Sequence, residues 1–296
     1  MYIAEFCALG AAFCWSFGGL ISTNPVRTLG AITFNRLRMC LVFVMLAGMA
    51  CVTGGWQTLT LRDGVLLMVS AMIGIFLGDT SFYAALKRVG PRRAGILFAT
   101  NAPLAALLGF LVLDERLPPA TIGGCALIMA GVFLAVFHST TTQRHSFEQV
   151  RGPLAVGVGL GLMGAFCQAV SVIIMRPILA SGVDPIAASA LRVGTGAVAL
   201  IATLLTRSEV VRPPTRVSKK LLGQVALSGL VGMGLGMTFL LIALAHGPAG
   251  LVSTLSATSP ILILPILWLV TRESPAPGAW LGALLAVAGA ACLFNG

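Results

Sequence analysis

Apolar runs about 20 residues long recur from one end of this sequence to the other, separated by short polar or Gly/Pro-rich punctuation. A hydrocarbon core about 30 Å thick needs about 20 apolar residues per helical crossing. The runs fall at 3–22, 30–52, 63–86, 91–113, 119–137, 152–176, 185–206, 220–245, 248–270 and 277–295. Gly54-Gly55, Gly90-Pro91, Pro118-Pro119, Pro213-Pro214, Gly247-Pro248 and Pro275-Ala276-Pro277 lie between them. Ten crossings in 296 residues leave no room for a soluble catalytic domain. With only 9% charged residues, against about 25% in soluble domains, the predicted fold class is an all-α membrane protein of ten transmembrane helices. The first run has Glu5 and no basic leader, so it is expected to be a helix of the mature chain rather than a cleaved signal.

The polar stretch 138–151 divides the runs five and five, giving a first repeat at 1–137, a connecting loop at 138–151 and a second repeat at 152–296. GIFLGDTSFYAAL (Gly74 to Leu86) matches GMGLGMTFLLIAL (Gly232 to Leu244), pairing Gly74 with Gly232, Gly78 with Gly236 and Thr80 with Thr238. Glu115 and Glu273, Gly131 and Gly289, Pro103 and Pro260, Phe13-Cys14 and Phe166-Cys167, and Arg36 and Arg192 continue the series. An odd number of crossings per repeat makes the second repeat begin on the opposite face, so the two five-helix repeats are inverted. Inverted halves surround a central site that can open to one face and then to the other.

The net charge of +10 would suggest nucleic acid in a soluble protein, but here the basic residues lie mainly in connectors, where they meet anionic lipid head groups. No nucleic-acid partner is expected. The odd-numbered connectors hold 13 Lys and Arg, the even-numbered ones three. The positive-inside rule then makes the odd connectors cytoplasmic and both termini extracytoplasmic. Seven cysteines lie in or beside apolar runs without a CxxC pair, the pattern of packing thiols rather than of metal or redox chemistry. No metal and no cofactor are expected.

CWS (Cys14 to Ser16), Arg36, GDTSFYAALKRVGPRRA from Gly78, FLVLDERLPP and then GGCALIMAGVFL, in this order and across nearly the whole chain, resemble the EamA-like branch of the drug/metabolite transporter superfamily. The resemblance implies a multi-pass carrier of a small metabolite in the bacterial cytoplasmic (inner) membrane. Many members export amino acids or related compounds. Many are also drawn with cytoplasmic termini, whereas the charges here argue the reverse. Gln168 stands where the first repeat has Trp15, and Met237 where it has Asp79.

Charged groups deep in a membrane are costly and normally face a bundle interior. Arg36, about six residues into its run, and Asp79, about seven from the end of its own, have matched depths of about 10 Å at 1.5 Å per residue. They are expected to form an ion pair lining the cytoplasmic half of the pathway, either purely structural or with Asp79 exchanging a coupling proton or meeting a cationic group of the substrate. Arg192 is the second repeat's buried cation, Glu5 its partner or a solvated carboxylate, and Arg38 is expected to snorkel to the head groups. Mid-run Pro103 and Pro260 free the carbonyls of Ala99 and Ser256. Each break lies among polar side chains, Asn101 with Thr100 at the first and Ser256 and Thr258 at the second. The substrate is expected beside these breaks, with Trp15, Tyr83 and Gln168 as walls and the prolines as hinges.

An intramembrane enzyme would need a metal-ligand or nucleophile constellation, and none is legible: there is no catalytic residue to name. The expected function is secondary transport of a small, amino acid-like metabolite, by efflux, with a lipid-precursor flippase as the alternative. The partners are that solute and membrane lipids, the protein being a monomer or a homodimer. Orientation is checked with C-terminal reporters: an alkaline-phosphatase fusion is expected to be active and a fluorescent protein that matures only in the cytoplasm dark. The opposite pair of results contradicts the assignment.

Overall fold

The computed structural model describes residues 2–113, 118–137, 151–206, 217–246, 255–256, 258–272 and 274–295, and these are helical almost throughout, with no strand among them. Glu115, Glu273, Gly247-Pro248 and most of the 138–151 connector lie outside the described residues. Among the described residues, five helical stretches are long and apolar enough to cross a membrane: 3–29, 31–53, 61–112, 154–179 and 185–206. Large apolar side chains such as Val44, Val112, Leu205 and Leu269 stay more than half exposed, as a surface solvated by lipid tails requires.

Helix α1 (Ile3–Leu29) ends at Gly30, whose φ of 83° turns the chain straight into α2 (Ala31–Thr53). The left-handed Gly54 closes α2, the usual glycine cap. Thr60 caps α3 (Leu61–Ala71) by accepting from the Asp63 N–H. The helix then widens into a π-helical stretch, Met72–Asp79, before resuming as α4 (Thr80–Ala99). Gly90, at φ 84° and ψ 166°, breaks α4 at the boundary between two apolar runs. Arg92 and Arg93 beyond it are buried, although connector basic residues are expected to meet lipid head groups.

Helices α5 (Asn101–Leu113), α6 (Pro119–Phe137) and α7 (Leu154–Ala180) follow. Asp184 accepts from the Ala187 N–H, with Pro185 behind it, to start α8 (Pro185–Ala202). Ser218 caps α9 (Lys219–Gly229), which passes through a second π-helical stretch, Leu230–Leu235, into α10 (Gly236–His246). Helices α11 (Ser259–Thr271) and α12 (Pro277–Asn295) complete the described chain.

Small residues let these helices meet at backbone distance, which matters where lipid supplies no hydrophobic drive for helix association. A Cβ on Gly131 would lie 2.5 Å from the Gly282 carbonyl, and one on Gly289 would lie 2.5 Å from that of Gly124, so α6 and α12 pack with almost nothing between them. A Cβ on Gly78 would come 3.1 Å from Cys167 Cβ, and one on Gly236 would come 3.3 Å from Cys14 Cβ. These crossings bring the first π stretch and α4 onto α7, and α10 onto α1.

Both π stretches give up regular i→i−4 bonding, and in each a neighbouring helix satisfies a carbonyl. Asn35 Nδ2 donates to Ile75 O at 3.4 Å, and Trp15 Nε1 donates to Gly232 O at 3.0 Å. Irregular backbone inside a membrane is tolerated where protein groups replace the lost hydrogen bonds, and π-helical insertions frequently mark functional positions.

Candidate functional site

A cavity of about 460 Å³ lies between α2, the first π stretch, α7, α8 and the second π stretch with the start of α10. Its polar side chains are Asp79, Gln168, Ser189 and Arg192. Three of these, Asp79, Gln168 and Arg192, are residues that the sequence singled out. The cavity runs from Asp79 toward Met49, Met175 and Pro185, near the helix ends joined by connectors 54–60 and 181–184. That is the face with few basic residues, so Asp79 borders a cavity reaching away from the Lys87–Arg93 connector and not, as expected, a pathway on that connector's side.

Asp79 closes the first π stretch, and its ion-pair partner is Arg38 rather than Arg36: Arg38 Nη1 lies 4.0 Å from Asp79 Oδ2. Depth along the helix had suggested Arg36. Two residues turn an α-helix through about 200°, however, and that rotation decides which arginine faces the π stretch. Arg38 does not snorkel. Its side chain is 11% exposed, and its guanidinium lies 5.4 Å from the centroid of the Tyr83 ring, within cation–π range. Tyr83 is itself gripped edge-on by Phe34, at 4.7 Å between centroids, and by Phe82, at 5.2 Å. It is a wall for Arg38, not a cavity residue. At 4.0 Å the ion pair is longer than a hydrogen bond, so the Asp79 carboxylate keeps acceptor capacity toward the cavity.

On the same wall as Asp79, Arg192 Nη2 donates to Ser171 Oγ at 2.7 Å, and Ser171 Oγ is 2.8 Å from Ser70 Oγ. The serines sit where α3 and α7 cross, immediately before the first π stretch, and a Cβ on Gly74 would overlap Ser171. Ser171, and not Glu5, therefore holds Arg192. Arg192 Nε is buried with no hydrogen-bond partner. The cavity thus presents a carboxylate and a guanidinium from different elements, each fixed by protein contacts.

The residues at the two breaks behave differently from expectation. Helix α4 stops at Ala99 and α5 restarts at Asn101, so Pro103 lies in a first turn, as Pro260 does in α11. A first-turn proline removes no intrahelical bond. The polar side chains cap their own chain: Thr100 Oγ1 donates to Leu97 O at 2.7 Å, Asn101 Nδ2 to Phe98 O at 2.7 Å, and Thr258 Oγ1 to Leu255 O at 2.6 Å. Ser256 is buried. None of Asn101, Ser256 and Thr258 lines the cavity, nor do Trp15, Tyr83 and Arg36.

Sequence reasoning missed Ser171, Ser189 and the role of Arg38, noted Met237 only as the counterpart of Asp79, and passed over Met45, Met49 and Met233 of MLAGM (Met45 to Met49) and MGLGM (Met233 to Met237), which line the same cavity. Their i, i+4 spacing was the available signal. Among the described residues, no group of three His, Cys, Asp or Glu side chains could hold a metal ion.

Residues 2–137 and 155–295 each match the sequence profile described as the EamA-like transporter family. Over 127 residues the chain is 26% identical to a protein of Archaeoglobus fulgidus named as an uncharacterized transporter, covering 43% of this chain and 46% of that protein. It is 29% identical over 89 residues to the uncharacterized transporter YetK of Bacillus subtilis, covering 30% of this chain and 27% of that one. The matched regions span less than half the length of either relative. A solved crystal structure at 18% identity superposes with a TM-score of 0.68, covering 98% of this chain and 95% of the other, a likeness of fold.

The ion-pair assignment is checked by a double-mutant cycle on the purified protein. Arg38→Ala leaves a buried carboxylate without its cation, and it is expected to cost less stability in an Asp79→Asn background, with a coupling of about 0.5–3 kcal/mol. Arg36→Ala and Asp79→Asn are expected to be additive. Additivity for Arg38 with coupling for Arg36 would restore the partner that depth alone suggests.

Proposed function

Because this chain belongs to the EamA-like transporter family, we propose that it is a secondary transporter that moves a small, amino acid-like metabolite by alternating access. The observation that carries the proposal is the cavity holding Asp79 and Arg192 together. An opposite-charge pair suits a zwitterion, with the guanidinium taking a carboxylate and Asp79 an ammonium group. A cavity of about 460 Å³ falls in the size range of small-molecule sites. A flippase for a lipid precursor would need that cavity open sideways to the bilayer.

Ten helices in two inverted five-helix repeats, 1–137 and 152–296 about the 138–151 connector, are the architecture in which we place this site. Matched contacts support the repeat. Gly78 meets Cys167 as Gly236 meets Cys14, Gly131 meets Gly282 as Gly289 meets Gly124, and the π stretches begin at Met72 and Leu230, which are the same 158 residues apart as Gly74 and Gly232. Exchange of the two repeats' conformations would open the cavity first to one face, then to the other. The restarts ahead of Pro103 and Pro260 would be the hinges. We place the protein in a bacterial inner membrane with both termini extracytoplasmic and net flux outward, on the basic-residue imbalance and the family resemblance.

Asp79 is the proposed coupling group. It has no carboxylate counterpart, since Met237 stands at the matching position, so protonation or solute binding would act on one repeat alone. In proteoliposomes loaded with an amino acid mixture, Asp79→Asn is expected to slow counterflow at least tenfold or to abolish its pH dependence while the protein stays folded. A wild-type rate with a wild-type pH profile in Asp79→Asn would contradict the role.

A further inference from the structure

The cavity is two-faced. All four polar side chains, Asp79, Gln168, Ser189 and Arg192, come from the first π stretch, α7 and α8. The facing wall, from α2 and from the second π stretch with the start of α10, contributes only apolar side chains and Gly234. Methionine dominates that wall. Five of the chain's eleven methionines line this one cavity: Met45, Met49, Met175, Met233 and Met237. Met45 and Met49 lie one turn apart on α2, and Met233 and Met237 one turn apart on the opposing segment. The two segments lie side by side in this wall, since a Cβ on Gly234 would lie 3.3 Å from Met45 Sδ.

Leucine would make such a wall equally apolar. Methionine differs in being unbranched, with three rotatable side-chain bonds and a polarizable sulfur that contacts aromatic rings favourably. A wall built from it can close over apolar groups of different shape without a backbone shift. Promiscuous binding surfaces use methionine in this way.

We infer that the site selects amphipathic dipolar solutes, with a zwitterionic head held between Asp79 and Arg192 and a bulky apolar or aromatic body against Met45, Met49, Met233 and Met237. These four methionines are then the specificity-determining residues. The inference rests on the transport reading above and extends it from the head of the solute to its body. A small polar zwitterion would leave the methionine wall hydrated and forgo its contribution.

The test is calorimetric titration of the full-length purified protein with glycine, leucine, phenylalanine and tryptophan. Affinity is expected to rise about 10- to 100-fold from glycine to the aromatic members, the return on burying a side chain of that size. Met233→Ser with Met237→Ser is expected to flatten the series. The same positions changed to leucine, a swap of similar volume, are expected to keep the rise from glycine to leucine but to separate leucine from tryptophan more sharply, because the wall adapts less. Equal affinity across the series in wild type, or an unchanged series in both double variants, overturns the methionine inference and leaves the transport reading standing. No binding by any of the four, in protein that still unfolds cooperatively, overturns both.

Discussion

The contact between Arg38 and Asp79 joins α2 to the π stretch that forms part of the cavity wall, and the arrangement around it follows from the cost of burying charge. A lone carboxylate at this depth would be expensive. With a guanidinium 4.0 Å away, itself supported by the Tyr83 ring, it can be kept, and at that separation it still has acceptor capacity for a solute. The π stretch is the second half of the same device. By departing from α-helical bonding between Met72 and Asp79, it changes the angular position of every residue that follows, and Asn35 from α2 satisfies one of its carbonyls. Charge and irregular backbone are stabilised by the same neighbouring helix.

Around Arg192, on the same polar wall, the burden falls on serines and glycines. Arg192 is held by Ser171, which in turn meets Ser70 at a helix crossing too close for any side chain at Gly74. The small residues that permit close packing therefore also position the cation. Substituting them would displace Arg192 as well as loosen the bundle, so the GxxxG spacing of Gly74 and Gly78 serves packing directly and the site through its neighbours.

Much of this was legible in the sequence for a simple reason. In a bilayer every backbone group must be satisfied within the protein, so the length and spacing of apolar runs fix the helices closely, and rare intramembrane charges and polar groups stand out. Asp79, Arg192 and Gln168 were found in that way. What failed was azimuth. Arg36 and Arg38 differ by only 3 Å in depth at 1.5 Å per residue but by more than half a turn around α2, and the π stretch shifts the facing of Asp79 further. Asn101, Ser256 and Thr258 were misread because a polar side chain near a helix break can cap the break as readily as line a cavity, and geometry alone distinguishes the two. The methionines were passed over because composition cannot separate a core methionine from a cavity wall until the helices are docked.

The central claim, that the cavity bounded by Asp79, Gln168 and Arg192 is the transport site, is tested most directly by site-specific thiol labelling. Ser189, which lines the cavity, is replaced by cysteine in a variant whose seven native cysteines have been changed to alanine or serine, and the protein is reconstituted in one orientation. The account predicts that a membrane-impermeant maleimide reacts from the face of connectors 54–60 and 181–184, that the transported solute protects the thiol, and that shifting the transport equilibrium exposes it to the other face. Labelling unaffected by any transported solute, or reaction confined to one face under every condition, would contradict it.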